Sequence, residues 1–188
     1  MMNCQAPTRI TPADTRWPVR ISERLGDAAP AELTALGKLD LLALPKTGLF
    51  CSARCPGAAI LCAYDQAAHW RDTGRCIISG FHSPVEQECL RILLRGTQPI
   101  ILCPARSLPQ RIPEDWRAPL AAGRLLILSA FAAAEKRVTT ELATRRNEFV
   151  AALADEACFA HITPGGQTDQ LTHRLTAWRV PFSTLEIS

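Results

Sequence analysis

The sequence predicts an α/β protein built on a parallel, helix-covered sheet. Two observations carry this. Short apolar runs alternate along the chain with longer segments of helical pattern, and the gaps between them are short. Length and composition agree: 188 residues, 47% apolar and 21% charged, suit one domain with a substantial core.

The elements follow in order. "GLFCSA" from Gly48 is a first strand, and "AAILCAYDQAAHWRDT" an Ala-rich helix stopped by Gly74. "RCIISGF" is a second strand, and "SPVEQECLRILLR" a helix stopped by Gly96. "TQPIILCPA" is a third strand, followed by a Pro- and Arg-rich connection with a short helix around Trp116. "RLLILSAF" makes a fourth strand, "TTELATRRNEFVAALAD" the longest helix and "EACFAHITP" a fifth strand. "QTDQLTHRLTAWRV" closes as helix, with "STLEI" as a last short strand. Residues 1–12 are expected to form a mobile N-terminus, and 13–188 a single domain with its lead-in.

Composition removes several classes. No run approaches the roughly 18 unbroken apolar residues of a membrane span. The start "MMNCQAPTRITPAD" has no apolar signal core, so a cytoplasmic protein without membrane contact is expected. The eight cysteines lie mostly in apolar runs without a CxxC pair, which reads as buried free thiols. "CSARC" (Cys51, Cys55) has the wrong spacing for a zinc site, so neither a metal nor a cofactor is expected. Charge is uneven: from Arg91 to Arg146 ten Lys/Arg stand against four Asp/Glu, a surplus of +6 in a chain of net +3. That asymmetry suits a polyanion-facing surface, and it equally suits arginines solvating helix faces.

Candidate binding residues cluster at strand ends. After Ser79-Gly80 the helix opens with Ser83 as N-cap, Pro84 at its first position and Glu86 at its third, a capping box. One reading is a well-capped helix without a ligand. The other is a nucleotide pocket in which Gly80 admits close approach and Glu86 faces a ribose hydroxyl. On the longest helix Arg146 falls within about 40° of Leu142, at the edge of the apolar stripe, where a guanidinium needs a partner such as a phosphate. Arg145 is expected to pair with Glu141 or Glu148, while Asn147 lies off the stripe. Gly165-Gly166 before Thr168 forms a second loop able to approach phosphate, and the loop holding Ser52 and Arg54 a third. Trp116 and Phe81 are the aromatics expected to be exposed for base stacking.

Taken in order, these residues resemble the DprA/Smf DNA-processing family. "CSAR" stands in place of the family's Val-Gly-Ser/Thr-Arg, "SGFHSPVE" in place of its Ser-Gly-Leu-Ala-Arg-Gly-Ile-Asp, and "LLILSAF" in place of its Leu-Ser-Glu-Phe. "RRNEFVAALAD" is similar to its Arg-Arg-Asn-Arg-Ile-Ile-Ala-Gly-Leu-Ser-Asp, and the likeness runs from about Ala13 to the C-terminus. The resemblance implies an extended Rossmann-like fold, an open, mostly parallel sheet with helices on both faces. It also implies single-stranded DNA or a nucleotide as ligand, a homodimer, and help in loading a recombinase during DNA uptake. Three departures stand out: Ser83-Pro84 replaces Arg-Gly, Glu148 replaces an arginine, and Ala130 replaces a glutamate. The chain as given leaves no room for the winged-helix domain that many members carry.

Three functions follow. The first is a non-enzymatic, DprA-like binder of single-stranded DNA or nucleotide without catalytic residues. The second is a small-nucleotide sensor or partner-binding module. The third is an enzyme: "PGGQTDQ" is similar to the phosphate loop of nucleotide phosphoribohydrolases, and N-glycosidic cleavage would draw on Asp169 or Glu86.

Overall fold

The structure, a computed structural model, describes residues 6–185. The chain opens with strand β1 (Thr8–Ile10), helix α1 (Val19–Leu25) and strand β2 (Leu33–Leu36). It then alternates: β3 (Lys46–Cys51), α2 (Gly57–Thr73), β4 (Cys76–Ser79), α3 (Pro84–Leu94), β5 (Ile100–Leu102) and α4 (Glu114–Ala121). The last elements are β6 (Leu125–Ser129), α5 (Thr140–Leu153), β7 (Glu156–His161), α6 (Gln167–Ala177) and β8 (Phe182–Thr184).

Among the described residues eight strands join one sheet in the order β1-β2-β6-β5-β4-β3-β7-β8. The six from β6 to β8 are parallel, and β1 and β2 extend the β6 side as an antiparallel pair. Central strands are apolar without alternation: every residue of Leu125–Ser129 is buried. A strand covered by helices on both faces requires such a run. One apolar core packs Ile21 of α1, Phe149 and Val150 of α5 and Leu171 of α6 under the sheet, where the rings of Phe50 and Phe159 stack at 5.3 Å. The other packs Ala63 and Trp70 of α2 with Val85, Cys89 and Leu93 of α3 over the opposite face.

Chain direction makes the site. From β3 the strands step outward through β4, β5 and β6, and the chain then returns to place β7 on the other side of β3. The carboxyl ends of β3 and β7 therefore flank the point where the winding reverses, the place where open α/β sheets bind ligands. Local signals behave as the sequence predicts: Gly74 ends α2 in the left-handed region at φ 76°, and Ser83 and Glu86 form the capping box of α3.

Two expectations need correction. Thr8–Ile10, placed in the mobile N-terminus, pairs with β2, and Ile10 is buried at 1% exposure; residues 1–5 lie outside the described residues. One apolar residue in a polar run hides such a strand, since its partner supplies the pairing. Phe81 and Trp116, expected to be exposed, are buried and half-buried, packed into the core on the α2/α3 face. Of the expected last strand, residues 186–187 lie outside the described residues. Among the described residues no helix is long and apolar enough to cross a membrane, and no cluster of three His, Cys, Asp or Glu is arranged for a metal.

Candidate nucleic-acid interface

Each helix that follows a parallel strand starts at the same edge of the sheet, so the N-termini of α2, α3, α4, α5 and α6 all face the carboxyl ends of the strands. Their dipoles make that edge electropositive. The connections leaving β5 and β6 add Arg106, Arg111, Lys136 and Arg137, all exposed and without an ion-pair partner among the described residues. Part of the +6 surplus thus sits on the edge that the fold already makes positive.

At the β4–α3 junction the glycine and the carboxylate do different work from that expected of a ligand pocket. Glu86 is 6% exposed. Its Oε1 accepts the Cys51 N–H at 2.9 Å, and its Oε2 accepts the N–H groups of His82 at 2.8 Å and Ser83 at 3.1 Å. The carboxylate thereby occupies the amides a phosphate would use at the start of α3, and binds the end of β3 to that helix. Ser79 Oγ takes the Phe81 N–H at 3.1 Å, holding Phe81 at φ 45°, a left-handed conformation that costs a non-glycine residue about 1–3 kcal/mol. The buried Phe81 ring anchors this strained turn.

Gly80 is needed because of Arg146. A Cβ on Gly80 would overlap the guanidinium, which lies directly on the glycine backbone. Arg146 is 3% exposed, yet its one hydrogen bond among the described residues runs from Nε to Asn147 Oδ1 at 2.8 Å. No carboxylate stands within ion-pair distance among the described residues. Burial pulls its pKa below arginine's ordinary value, against the weaker opposing influences of Glu86 and Cys103. A guanidinium has five donors. This one is desolvated, positioned by packing, and keeps four of them uncommitted.

The other two loops close around the switch point. Ser52 Oγ lies 2.6 Å from Thr168 Oγ1 and accepts the Thr163 N–H at 2.9 Å, joining the end of β3 to both sides of the β7–α6 loop. In that loop Gly165 adopts φ 72°, with open space where a side chain would stand, and its N–H donates to Asp169 Oδ2 at 2.8 Å. Gly166 is the N-cap of α6. Arg54 is exposed beyond β3 and free of partners among the described residues.

On α5 the expected pairing of Arg145 is corrected. Its guanidinium carbon sits 5.5 Å from the centroid of Phe131, while Glu148 pairs instead with Arg174 of α6 at 2.9 Å. The charge that Glu148 brings to this surface is therefore neutralised from the neighbouring helix. Only tertiary structure could reveal this, because the partner lies on a different element. The sequence reading also missed Arg174, whose role no local pattern signals. The predicted residues thus form one band along the carboxyl edge: Arg146, Gly80, Ser79, Ser83 and Glu86 at one junction, Ser52, Gly165, Gly166 and Thr168 at the next. Arg54 and Arg145 flank that band, and Asn147 faces α6.

A sheet with this winding, its glycine-bearing loops and helix N-termini gathered at one edge, is a Rossmann-like fold. Residues 8–162 match the family model described as DNA recombination-mediator protein A, and the chain belongs to that family. The structure is similar to that of DNA processing protein A from Streptococcus pneumoniae, at TM-score 0.78 and 19% identity, covering 96% of this chain and 63% of that one. It is also similar to DNA processing protein A from Helicobacter pylori, whose structure was described for its mode of single-stranded DNA binding (TM-score 0.73, 18% identity, 95% and 80% coverage). A more distant likeness, at TM-score 0.54 and 12% identity, links 74% of this chain with 75% of the molybdenum cofactor binding protein of Rippkaea orientalis. No curated protein matches the chain. The chain spans about 63% of the length of the Streptococcus protein, so the activity of that whole protein is not carried over.

Proposed function

We propose that this chain binds single-stranded DNA along the carboxyl edge of its sheet and serves in DNA processing. The observation that carries the reading is Arg146: a buried guanidinium with four free donors, set by Gly80 beside the switch point. Membership of the family supports DNA as the polyanion. Arg54 and Arg145 extend the contact to either side. Because Glu86 occupies the amides of the β4–α3 junction, and Asp169 and the Thr163 carbonyl those of Gly165 and Gly166, the phosphate grip rests on side-chain guanidiniums.

The hydrolase reading finds no support in the geometry. Its two candidate carboxylates are both engaged by backbone N–H groups, Glu86 by those of Cys51 at the end of β3 and of His82 and Ser83, Asp169 by that of Gly165. A homodimer and a recombinase contact belong to the proposal on family membership alone; light scattering returns twice the monomer mass if the dimer forms.

The test is fluorescence anisotropy of a labelled single-stranded oligonucleotide across a salt series. Three arginine–phosphate contacts predict log affinity falling against log salt with a slope of about −2, and Arg54→Ala lowers that slope by about 0.7. A wild-type protein that binds no strand at low salt overturns the reading.

A further inference from the structure

The run Cys51-Ser52-Ala53-Arg54-Cys55 sets two thiols around an exposed arginine of the carboxyl edge. The chain leaves β3 at Cys51 and bends at Ala53 and Arg54. That bend returns Cys55 to the apolar cluster on the α2/α3 face that also holds Cys51. There the two thiols are hydrogen-bonded to each other. Among the described residues the cysteines carry no disulfide; five are buried, and Cys55 is one of two that are half-buried.

The two sulfurs differ in access and in freedom. Cys51 is 9% exposed, and burial, then the adjacent Cys55, push its thiol far above its ordinary pKa. The thiolate is the reactive form, so a small reagent from solution meets half-buried Cys55 first. Cys51 is also held in place. Its N–H donates to Glu86 Oε1 at 2.9 Å, and it stands opposite His161 of β7. Its neighbour Ser52 is tied to Thr168 and Thr163. Closing a disulfide brings the sulfurs from hydrogen-bond contact to about 2 Å. The movement therefore falls on Cys55, and the backbone of Arg54 follows it.

We propose that Cys55 and Cys51 are a thiol pair oxidised by a hydroperoxide, and that closing their disulfide draws Arg54 away from the bound strand. In the first step the Cys55 thiolate attacks one oxygen of hydrogen peroxide. The S–O bond forms, the O–O bond breaks, and the other oxygen leaves as hydroxide, leaving a sulfenic acid on Cys55. In the second step the Cys51 sulfur attacks the Cys55 sulfur. The S–S bond forms, the S–O bond breaks, and the hydroxyl leaves as water with the Cys51 proton. In sum two thiols and one peroxide give one disulfide and two waters, the sulfurs losing the two electrons that the peroxide gains. A neutral sulfenic acid removes the Cys55 charge that raised the Cys51 thiol, while burial remains and makes closure the slower step. The effect on Arg54 rests on the single-stranded DNA reading above; the disulfide itself does not.

Hydrogen peroxide, added in slight excess and then removed, is the probe. Trypsin cuts after Arg54, between the two cysteines, so the disulfide shows as peptide 47–54 linked to peptide 55–71 and released by dithiothreitol. Cys62 lies in the second peptide as well, so the link should persist in Cys62→Ser and vanish in Cys55→Ser. No link in oxidised wild type, or a link retained in Cys55→Ser, overturns the thiol pair. Anisotropy with a labelled single strand then reads the effect on binding. Oxidised wild type should lose about 0.7 of its salt slope, one phosphate contact, and regain it on reduction. Oxidised Arg54→Ala should bind as its reduced form does, and Cys55→Ser should ignore peroxide. A linked pair with unchanged binding overturns the control of Arg54 and leaves the DNA reading intact. Reduced wild type that binds no strand at low salt removes the DNA reading and that control with it, while the peptides still decide the thiol pair.

Discussion

The two edges of the sheet treat buried charge in opposite ways. At the amino edge Lys46 is 3% exposed at the start of β3, and its ammonium lies 3.5 Å from Asp155. Asp155 also accepts the Lys46 N–H at 2.9 Å and pairs with Arg20 of α1. Alongside, Thr47, Arg75 and Glu156 form a closed triangle at 2.7–2.8 Å, and Arg24 caps the carbonyls of Ala152 and Ala154 at 2.8 Å. At the carboxyl edge Arg146 is as deeply buried with a single hydrogen bond among the described residues. A charge taken from water is tolerated when its partners are built in, and costs stability when they are not. The amino edge is therefore a structural clamp holding α1 and β3 together. The carboxyl edge retains an unmet demand, which is what the proposed binding of DNA there would satisfy.

The largest effect that would test this contrast is on the clamp. Asp155→Ala leaves Lys46 buried without its partner and releases Arg20. Losing a buried partner costs about 3–5 kcal/mol, and the partial exposure of Asp155 brings the expectation to about 2 kcal/mol, read as a lower denaturant midpoint. The wild type should show the same link in acid. Burial raises the Asp155 pKa, but hydrogen bonds from Arg20 and the Lys46 N–H, with the Lys46 charge, outweigh it and hold the carboxyl below its ordinary value. A depressed carboxylate stabilises the fold above its unfolded pKa of about 3.9. That contribution is lost as pH falls through the folded value. Denaturant midpoints should therefore drop below about pH 4 in wild type, and less in Asp155→Ala. If Asp155→Ala unfolds no more easily than wild type, the amino edge is not a clamp.

Gly80→Ala comes next. Its methyl group claims the space of the guanidinium, so Arg146 must move or the turn must shift. Overpacking of this kind costs about 1–3 kcal/mol, and here it should also weaken oligonucleotide binding, because the displaced donors no longer face the strand. Stability loss with unchanged binding would separate Arg146 from the interface.

Only the carboxyl side of this contrast is legible in the sequence, for a physical reason; no local pattern signals the clamp at the amino edge. Alternating apolar runs, Gly74 and the Ser83–Glu86 box are local signals, and they placed the central elements. The position of Arg146 on the edge of the Leu142 stripe is also local, and it led to the expectation that the side chain is buried and short of a partner. What was hidden depends on distant chain. β1 and β2 are only three and four residues long; β2 becomes a strand because β6, some 90 residues further on, supplies an edge, and β1 because β2 then offers it one. Glu148 finds Arg174 on another helix rather than Arg145 on its own, and Gly80 serves a side chain from α5 rather than an incoming phosphate. Spacing along one element carries no information about such partners.

The smallest expected change in stability is the most discriminating. Arg146→Met keeps an unbranched side chain against Gly80 and removes the charge. Replacing a well-paired buried ion by an apolar residue of similar shape is often neutral or better, and Arg146 is poorly paired to begin with. Only the bond to half-buried Asn147 is lost, and water can replace it there. The denaturant midpoint should therefore shift by no more than about 1 kcal/mol in either direction, while oligonucleotide affinity falls and its salt slope shrinks by about 0.7. A clamp residue behaves the other way round, as Asp155 should: stability lost, binding kept by whatever fraction remains folded. If Arg146→Met destabilised the protein as much as Asp155→Ala, the two edges would be alike and the arginine would be structural. If it left both stability and binding untouched, its buried charge would serve neither edge.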